Sequence, residues 1–400
     1  MYIWQVYYQA KYFDFLLMLS FDNTEVAFSG KSNSELKWAH RLFKLIGNNS
    51  LISFGKAATN IALKLRLPIT GIIKKTIFKQ FCGGENIEEC KSVINKLDSY
   101  GVGTILDYSL EAKEAEEELE NCCKELETGI NLASIHHEIP FIVFKVSGVM
   151  QFDLLEKFNK KAPENHNEYY AGLARVDRLC NAAFNSNTPI LIDAEESWIQ
   201  DAIDRIAEAM MEKYNKEKAI VYNTVQLYRW DRLDYLKQLH TNETNFKIGV
   251  KLVRGAYMEK ERKRAEENNY PSPIQPDKEA TDRDYDLAVK YCVDNNIAVC
   301  VGTHNEASSM LMVDLMEKKN LDKKNPDYYF AQLLGMSDHI SFNLSNAGYN
   351  VAKYVPYGPV KDVIPYLIRR AEENTSVAGQ TGRELSLISD EMKRRKLNKK

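Results

Sequence analysis

The sequence predicts an α/β chain, a (β/α)8 barrel preceded by an N-terminal α-helical arm, and two observations support this. From Gly101 onward, apolar stretches of strand length alternate with charged stretches of helical period. Eight such units fill about 275 residues, close to the ~250 typical of a (β/α)8 barrel. No GxGxxG opens a unit, because Gly101 and Gly103 have no third glycine partner, and this weighs against the doubly wound open sheet that is the structural alternative.

The predicted strands are 102–106, 140–146, 189–192, 219–225, 247–253, 297–301, 328–334 and 351–355. Helical stretches between them cover 111–126, 168–185, 197–214, 229–239, 278–295 and 306–319. Ahead of the barrel, 20–100 reads as helices. Asn33-Ser34 opens one carrying Leu36, Trp38, Leu42, Phe43 and Ile46; a second spans 52–65, and a third 69–81. Cys82-Gly83-Gly84 breaks the chain, and Glu85 starts a helix through Leu97. The predicted plan is an extension over 1–19, the arm over 20–100, the barrel over 101–375, and a C-terminal helix with a basic tail over 376–400. Residues 1–19 are aromatic-rich and lack a basic opening, so they make a poor signal peptide. A true start at Met18 is preferred, with a small membrane-surface or partner-binding segment as the alternative.

The stretch 354–374, YVPYGPVKDVIPYLIRRAEEN, is the most informative. Pro356, Gly358 and Pro359 turn the chain out of the last strand into a helix. Val363, Ile364, Leu367, Ile368 and Ala371 form its buried stripe, while Tyr366, Arg369, Arg370 and Glu373 share another face. Pro365 is tolerable if the helix begins near Lys361, since first-turn amides have no intrahelical partner. A solvated charged face is the ordinary reading of such arginines. A tyrosine beside two guanidinium forks instead suits a small carboxylate.

Composition narrows the function classes. With 44% hydrophobic and 27% charged residues the chain is an ordinary globular one, and its net charge of −3 gives no basic field for nucleic acid. The seven cysteines are scattered without CxxC, which predicts reduced thiols, no disulfide framework and no metal site. No apolar run approaches ~20 residues, so no membrane span is predicted. HHE at 136–138 and KERKRAEENN at 260–269 read as surface charge, and the tail 393–400 as solvated, with weak contact to acidic lipid as a minority reading.

A barrel places function where strands end. Those positions hold Asp107, Lys145, Asp193, Gln226, the Lys251 and Arg254 pair, Thr303-His304, Leu333-Leu334 and Tyr354. Asp193 reads equally well as a cap for the next helix. Lys145 follows an apolar run, and lysine is rarely buried unpaired, so it needs Asp193 or a substrate anion. Lys251 and Arg254 set two cations near one strand end, which phosphate or an electron-rich ring would explain. His304 alone would more often be structural.

These segments resemble the proline dehydrogenase family, flavin enzymes that oxidise L-proline. The resemblance covers roughly 75–395. It rests on FCGGE, GVGTILDY, FKVSG, LIDAEES, NTVQLY, KLVRGAY, GTHN, AQLLGMSDHISF and, above all, the 354–374 stretch. The motif spacing is similar to the monofunctional, mitochondrial-type branch. The resemblance implies a distorted (β/α)8 barrel with FAD across the strand mouths, hydride transfer to flavin N5, Δ1-pyrroline-5-carboxylate as product, and a membrane quinone as electron acceptor. It implies Arg369, Arg370 and Lys145 at the substrate carboxylate, with Asp193 orienting them. Tyr354, Tyr366 and Leu333 would wall the ring, and Glu85 would pair with Arg369 and close the site. Gln226, Lys251, Val253, Arg254, Ala256, Thr303, His304 and Glu373 would hold the flavin, with Lys278 a weaker candidate. Many bacterial relatives look like RxVKGAY. Here Lys251 precedes Arg254, so the cation implied at N5 is a single donor. A hydroxyproline-oxidising branch looks to carry a smaller residue at Tyr354, hence proline is preferred. A Schiff-base lyase using Lys145 or Lys251, and a non-catalytic proline-binding sensor, are the rivals from other classes. The expected location is the cytoplasmic side of an inner membrane, or the mitochondrion in a eukaryote, with no particular oligomer specified.

Overall fold

The computed structural model describes residues 19–46, 70–110, 113–241, 245–376 and 380–397. The predicted helix over 52–65 and the extension over 1–18 lie outside them. Eight parallel strands close into a barrel in simple sequence order. They are β1 (Gly103–Tyr108), β2 (Phe141–Lys145), β3 (Ile190–Asp193), β4 (Val221–Gln226), β5 (Gly249–Val253), β6 (Ala298–Gly302), β7 (Tyr328–Leu333) and β8 (Val351–Tyr357). Each lies on a predicted strand.

The strands are apolar nearly throughout because both of their faces are covered. Alternate residues point inward: Ile105, Phe141, Val143, Leu191, Tyr222, Cys300, Ala331 and Ala352 fill the barrel. Their neighbours Ile142, Phe144, Ile192, Val225, Leu252, Val299 and Val301 point outward into the helix layer. Full burial of such a side chain is worth roughly 1.5–3 kcal/mol.

Four helices need labels: α1 (Asn33–Ile46), α2 (Ile87–Asp98), α3 (Val360–Ser376) and α4 (Gln380–Arg394). Helices α1 and α4 pack together through Leu36, Ala39, Phe43, Leu387, Ile388 and Met392. Leu42 of α1 joins Phe78 and Phe81 against Val363, Tyr366 and Leu367 of α3. The arm therefore packs on the helix that carries the arginine pair.

Several local expectations change. The helix after β1 is Glu116–Ala133, later than the predicted 111–126, with Glu116, Glu117 and Glu118 placed favourably in its first turn. An unpredicted helix, Asp338–Asn346, follows β7; it is short and its sequence is polar. Helix α2 starts at Ile87, because Asn86 accepts from the Glu89 amide and leaves Glu85 outside. Pro365 sits in the second turn of α3, since the helix begins at Val360, and it lies on the exposed side of the helix. Glu261 in the expected surface run 260–269 is fully buried and receives both the amide and the hydroxyl of Ser197.

Strand β8 also runs on through Pro356, where the sequence suggested a turn. Strand β7 pairs with β8 only as far as Tyr354. Beyond that point Gly83 donates to the Pro356 carbonyl at 2.8 Å, and Gly358 donates to the Gly84 carbonyl at 3.1 Å. Proline is tolerated because its carbonyl, and so its missing N–H, faces this makeshift edge. Glycine is needed at position 83 because a Cβ would lie 2.6 Å from Val355 Cγ1. The predicted chain break is thus a docking contact.

Candidate active site

Lys145 and Asp193 end β2 and β3 and stand in direct register. Asp193 is buried, and side chains from three other strands converge on its carboxylate. Lys251 of β5 bonds Oδ1. Lys145 Nζ stands 3.6 Å from Oδ2, and the Tyr354 hydroxyl of β8 donates to Oδ2 at 2.7 Å. Lys251 also lies 5.1 Å from the centroid of the Tyr354 ring. Burial opposes ionisation of Asp193, but Lys251 and Lys145 outweigh it and hold the carboxyl below its ordinary range. Burial, with Asp107 and Asp193 nearby, pushes the Tyr354 phenol well above its ordinary value, so it remains a donor.

A second group lies across β4, β5 and β6. Arg254 donates to Asp282 Oδ1 at 2.6 Å, Thr303 Oγ1 at 2.7 Å and Ser308 Oγ at 3.0 Å, and it stacks 4.3 Å from the Tyr285 centroid. Gln226 is buried and donates to the Glu195 carbonyl at 2.7 Å. Val253 is its register partner and is half-buried. His304 Nδ1 is 2.9 Å from Ser337 Oγ. Lys278, largely exposed, bonds the same Asp282 that holds Arg254. Gly255 has φ +135°, and a Cβ there would lie 2.4 Å from the Tyr228 ring. This turn leaves Ala256 exposed and small. Gln226, Lys251, Arg254, Thr303 and His304 therefore line three adjacent mouths with polar groups suited to an extended anionic cofactor.

Helix α3 supplies the third side. Tyr366 is buried among the residues that join the arm to the barrel, with Leu333 packed beside it. Leu333 is also the register partner of Tyr354. The Arg369 guanidinium carbon lies 5.7 Å from the Tyr257 ring centroid. Arg370 and Glu373 follow on the same helix, but their side chains lie outside the described residues. Glu85 is engaged away from the expected Arg369. Its carboxylate takes Lys74 at 2.5 Å and the Val360 amide at 3.3 Å, capping α3, and the Lys74 bond keeps it below the ordinary carboxylate range.

Three participants escaped the sequence reading. Tyr257 meets Arg369. Glu195, two residues past the end of β3, accepts the Ser147 amide at 3.0 Å and bonds its hydroxyl. Burial and the neighbouring Glu196 push Glu195 up to about 8. Lys353, fully buried behind Tyr354, pairs with Asp338 at 2.9 Å and donates to the Met336 carbonyl at 2.5 Å. Strand-end position was a usable signal for Glu195, whereas nothing in the sequence singled out Lys353.

Fold and site together define a barrel enzyme with polar and ionisable side chains gathered at its strand mouths and, packed against Leu333 of β7, a helix bearing adjacent arginines. The chain belongs to the proline dehydrogenase family: the family model described as "Proline dehydrogenase" matches residues 90–383. It is 32% identical over 430 residues to "Proline dehydrogenase 1, mitochondrial" of Dictyostelium discoideum, covering 93% of this chain and 74% of that one. It is 30% identical over 427 residues to "Hydroxyproline dehydrogenase" of Xenopus laevis, covering 96% of this chain and 91% of that one. The crystal structure of proline utilization A (PutA) from Bdellovibrio bacteriovorus is similar in fold, with a TM-score of 0.70 at 20% identity. That match covers 88% of this chain and 38% of PutA, so the chain spans well under half of that protein.

Proposed function

We propose that this chain oxidises L-proline to Δ1-pyrroline-5-carboxylate, the first step of proline catabolism, with FAD across the mouths of β4, β5 and β6 and a membrane quinone as final acceptor. The observation that carries this reading is the convergence of Lys145, Lys251 and Tyr354 on the buried Asp193. In this reading Arg369, Arg370 and Lys145 take the substrate carboxylate, and Asp193 fixes the direction of Lys145. Tyr354, Leu333 and Tyr366 confine the ring. The polar row of Gln226, Lys251, Arg254, Thr303 and His304 fits FAD, with Val253, Ala256, Lys278 and Glu373 as further contacts. FAD held there would supply the two-electron acceptor for a hydride leaving the substrate carbon beside its nitrogen. The protein's own part is to orient the substrate and exclude water beneath α3. Glu85, tied to both Lys74 and the start of α3, is placed to couple the arm to closure of the site.

The proposed division is an extension over 1–19, an arm over 20–100, a catalytic barrel over 101–375 and a C-terminal helix and tail over 376–400. Among the described residues no helix is long and apolar enough to cross a membrane. The word "mitochondrial" in the Dictyostelium relative's name supports the mitochondrial branch of the expected location over the bacterial one.

Hydroxyproline is the second reading, favoured by the long match to the Xenopus protein. Anaerobic absorbance spectra before and after addition of L-proline test both readings. A yellow protein that bleaches with proline, and an Arg370→Met variant that stays yellow without bleaching, are expected. Bleaching only with hydroxyproline would move the chain to the second reading. A colourless protein that cannot take up FAD, yet is trapped by borohydride with a carbonyl substrate, would support lysine chemistry instead. Proline binding without bleaching would indicate a sensor.

A further inference from the structure

The sequence from Leu36 to Gly84 contains nine lysines and arginines and no aspartate or glutamate, although the whole chain has 56 acidic residues against 53 basic. At the chain's average acidic content, about seven carboxylates would be expected there by proportion, so the bias is local and large. The described parts of this run show how the charge is displayed. On α1, Lys37, Arg41 and Lys44 are exposed and fall within about a sixth of the helix circumference at 100° per residue. Trp38 and Leu45 lie together on one side of them, 37% and 55% exposed. They lie on the side of Leu42, which packs with Phe78 and Phe81. The neighbouring helical segment 70–81 adds Ile72, 67% exposed, and the exposed Lys75 and Lys79. A core-facing stripe does not explain Trp38, Leu45 and Ile72, because Leu36, Ala39, Leu42 and Phe43 already provide it.

We propose that this face, Lys37, Trp38, Arg41, Lys44 and Leu45 of α1, docks on an anionic lipid bilayer. A row of cations beside a short apolar strip matches what an interfacial helix needs: charge for the headgroups and rings or aliphatic groups for the acyl boundary. The same two segments pack on α3, so docking would bring the roof of the barrel mouth to the membrane. The inference rests on the quinone part of the proposed function for its purpose, though not for its physical basis.

The test is co-sedimentation of the full chain with phosphatidylcholine vesicles, with and without phosphatidylglycerol, at low and high salt. Binding only to the anionic vesicles, weakened by salt, is expected. Each cation near such a surface is worth ~1 kcal/mol, or about five-fold in partitioning. Lys37→Gln/Arg41→Gln/Lys44→Gln should therefore lose about a hundred-fold, and Trp38→Ser/Leu45→Ser should lose binding while keeping the charge. Phe184→Ser, an equally exposed ring elsewhere, should bind like wild type. Reduction of a soluble dye by proline should be unchanged in every variant, which also shows that they fold. Wild type that does not bind, or face variants that bind as wild type does, would overturn the proposal. So would equal binding to DNA that is insensitive to Trp38→Ser/Leu45→Ser, or a change in oligomeric state without lipid. If vesicle binding behaves as expected but proline reduces no dye, the docking face stands and the proposed function falls.

Discussion

Asp193→Asn isolates the central electrostatic claim. The carboxylate compensates Lys251 and Lys145, whose side chains are 6% and 10% exposed. Asparagine keeps the shape and an acceptor for Tyr354, but removes the negative charge that both buried ammonium groups face. Removing one partner of a buried pair typically costs about 3–5 kcal/mol, most of it the desolvation of the charge left behind. The expected loss is in that range, read as a shift in urea midpoint with unchanged slope. The proline KM should rise as well, because Lys145 loses its orienting partner. Lys251→Met in the Asp193→Asn background should recover more than half of the lost stability, since it removes the more deeply buried stranded charge. The double-mutant cycle should thus show strong coupling. A cost below about 1 kcal/mol for Asp193→Asn, or strict additivity with Lys251→Met, would refute the view that this carboxylate holds the mouth together.

Three further outcomes are expected. Glu195 has a folded-state value of about 8 against an ordinary 4.5, so the folded chain keeps a proton that the unfolded chain has lost between those values. Its contribution to stability falls as pH rises through that window, and Glu195→Gln should gain on wild type by up to a few kcal/mol between about pH 5 and 8, seen in paired thermal melts. Lys353→Met should cost about 2–4 kcal/mol and raise the proline KM, because the turn carrying Leu333 and Ser337 loses its donor to the Met336 carbonyl; denaturation and steady-state kinetics check both parts. Tyr354→Ser removes one wall and the bond to Asp193, and should shift the hydroxyproline-to-proline ratio of kcat/KM upward by at least about ten-fold, measured with both substrates.

Much of the barrel was legible because its strands are buried on both sides and end abruptly in polar residues. Lys145, Asp193, Gln226 and Thr303 could each be placed at a mouth from that transition alone. Their partners could not. Lys251 reaches past β4 to Asp193, and strand order gives no rule for which side chains cross the mouth. Lys353 was hidden for a different reason. It alternates outward between Ala352 and Tyr354, where a lysine would ordinarily signal solvent, yet the outer face of a barrel strand is covered by helices and the charge is satisfied by Asp338.

The arm shows the same limit more sharply. Cys82-Gly83-Gly84 reads as a break by its glycines, and glycine serves equally for close backbone approach. The sequence does not distinguish the two uses. Here a Cβ at position 83 would collide with Val355, and one at position 84 would lie 2.4 Å from Glu89 Cβ, so the segment is pressed between β8 and α2. That contact carries Glu85 to the start of α3, where it binds both Lys74 of the arm and the amide of Val360. Any rearrangement of the arm, including one imposed by a docking membrane, would therefore be felt first at the helix that presents Arg369 and Arg370.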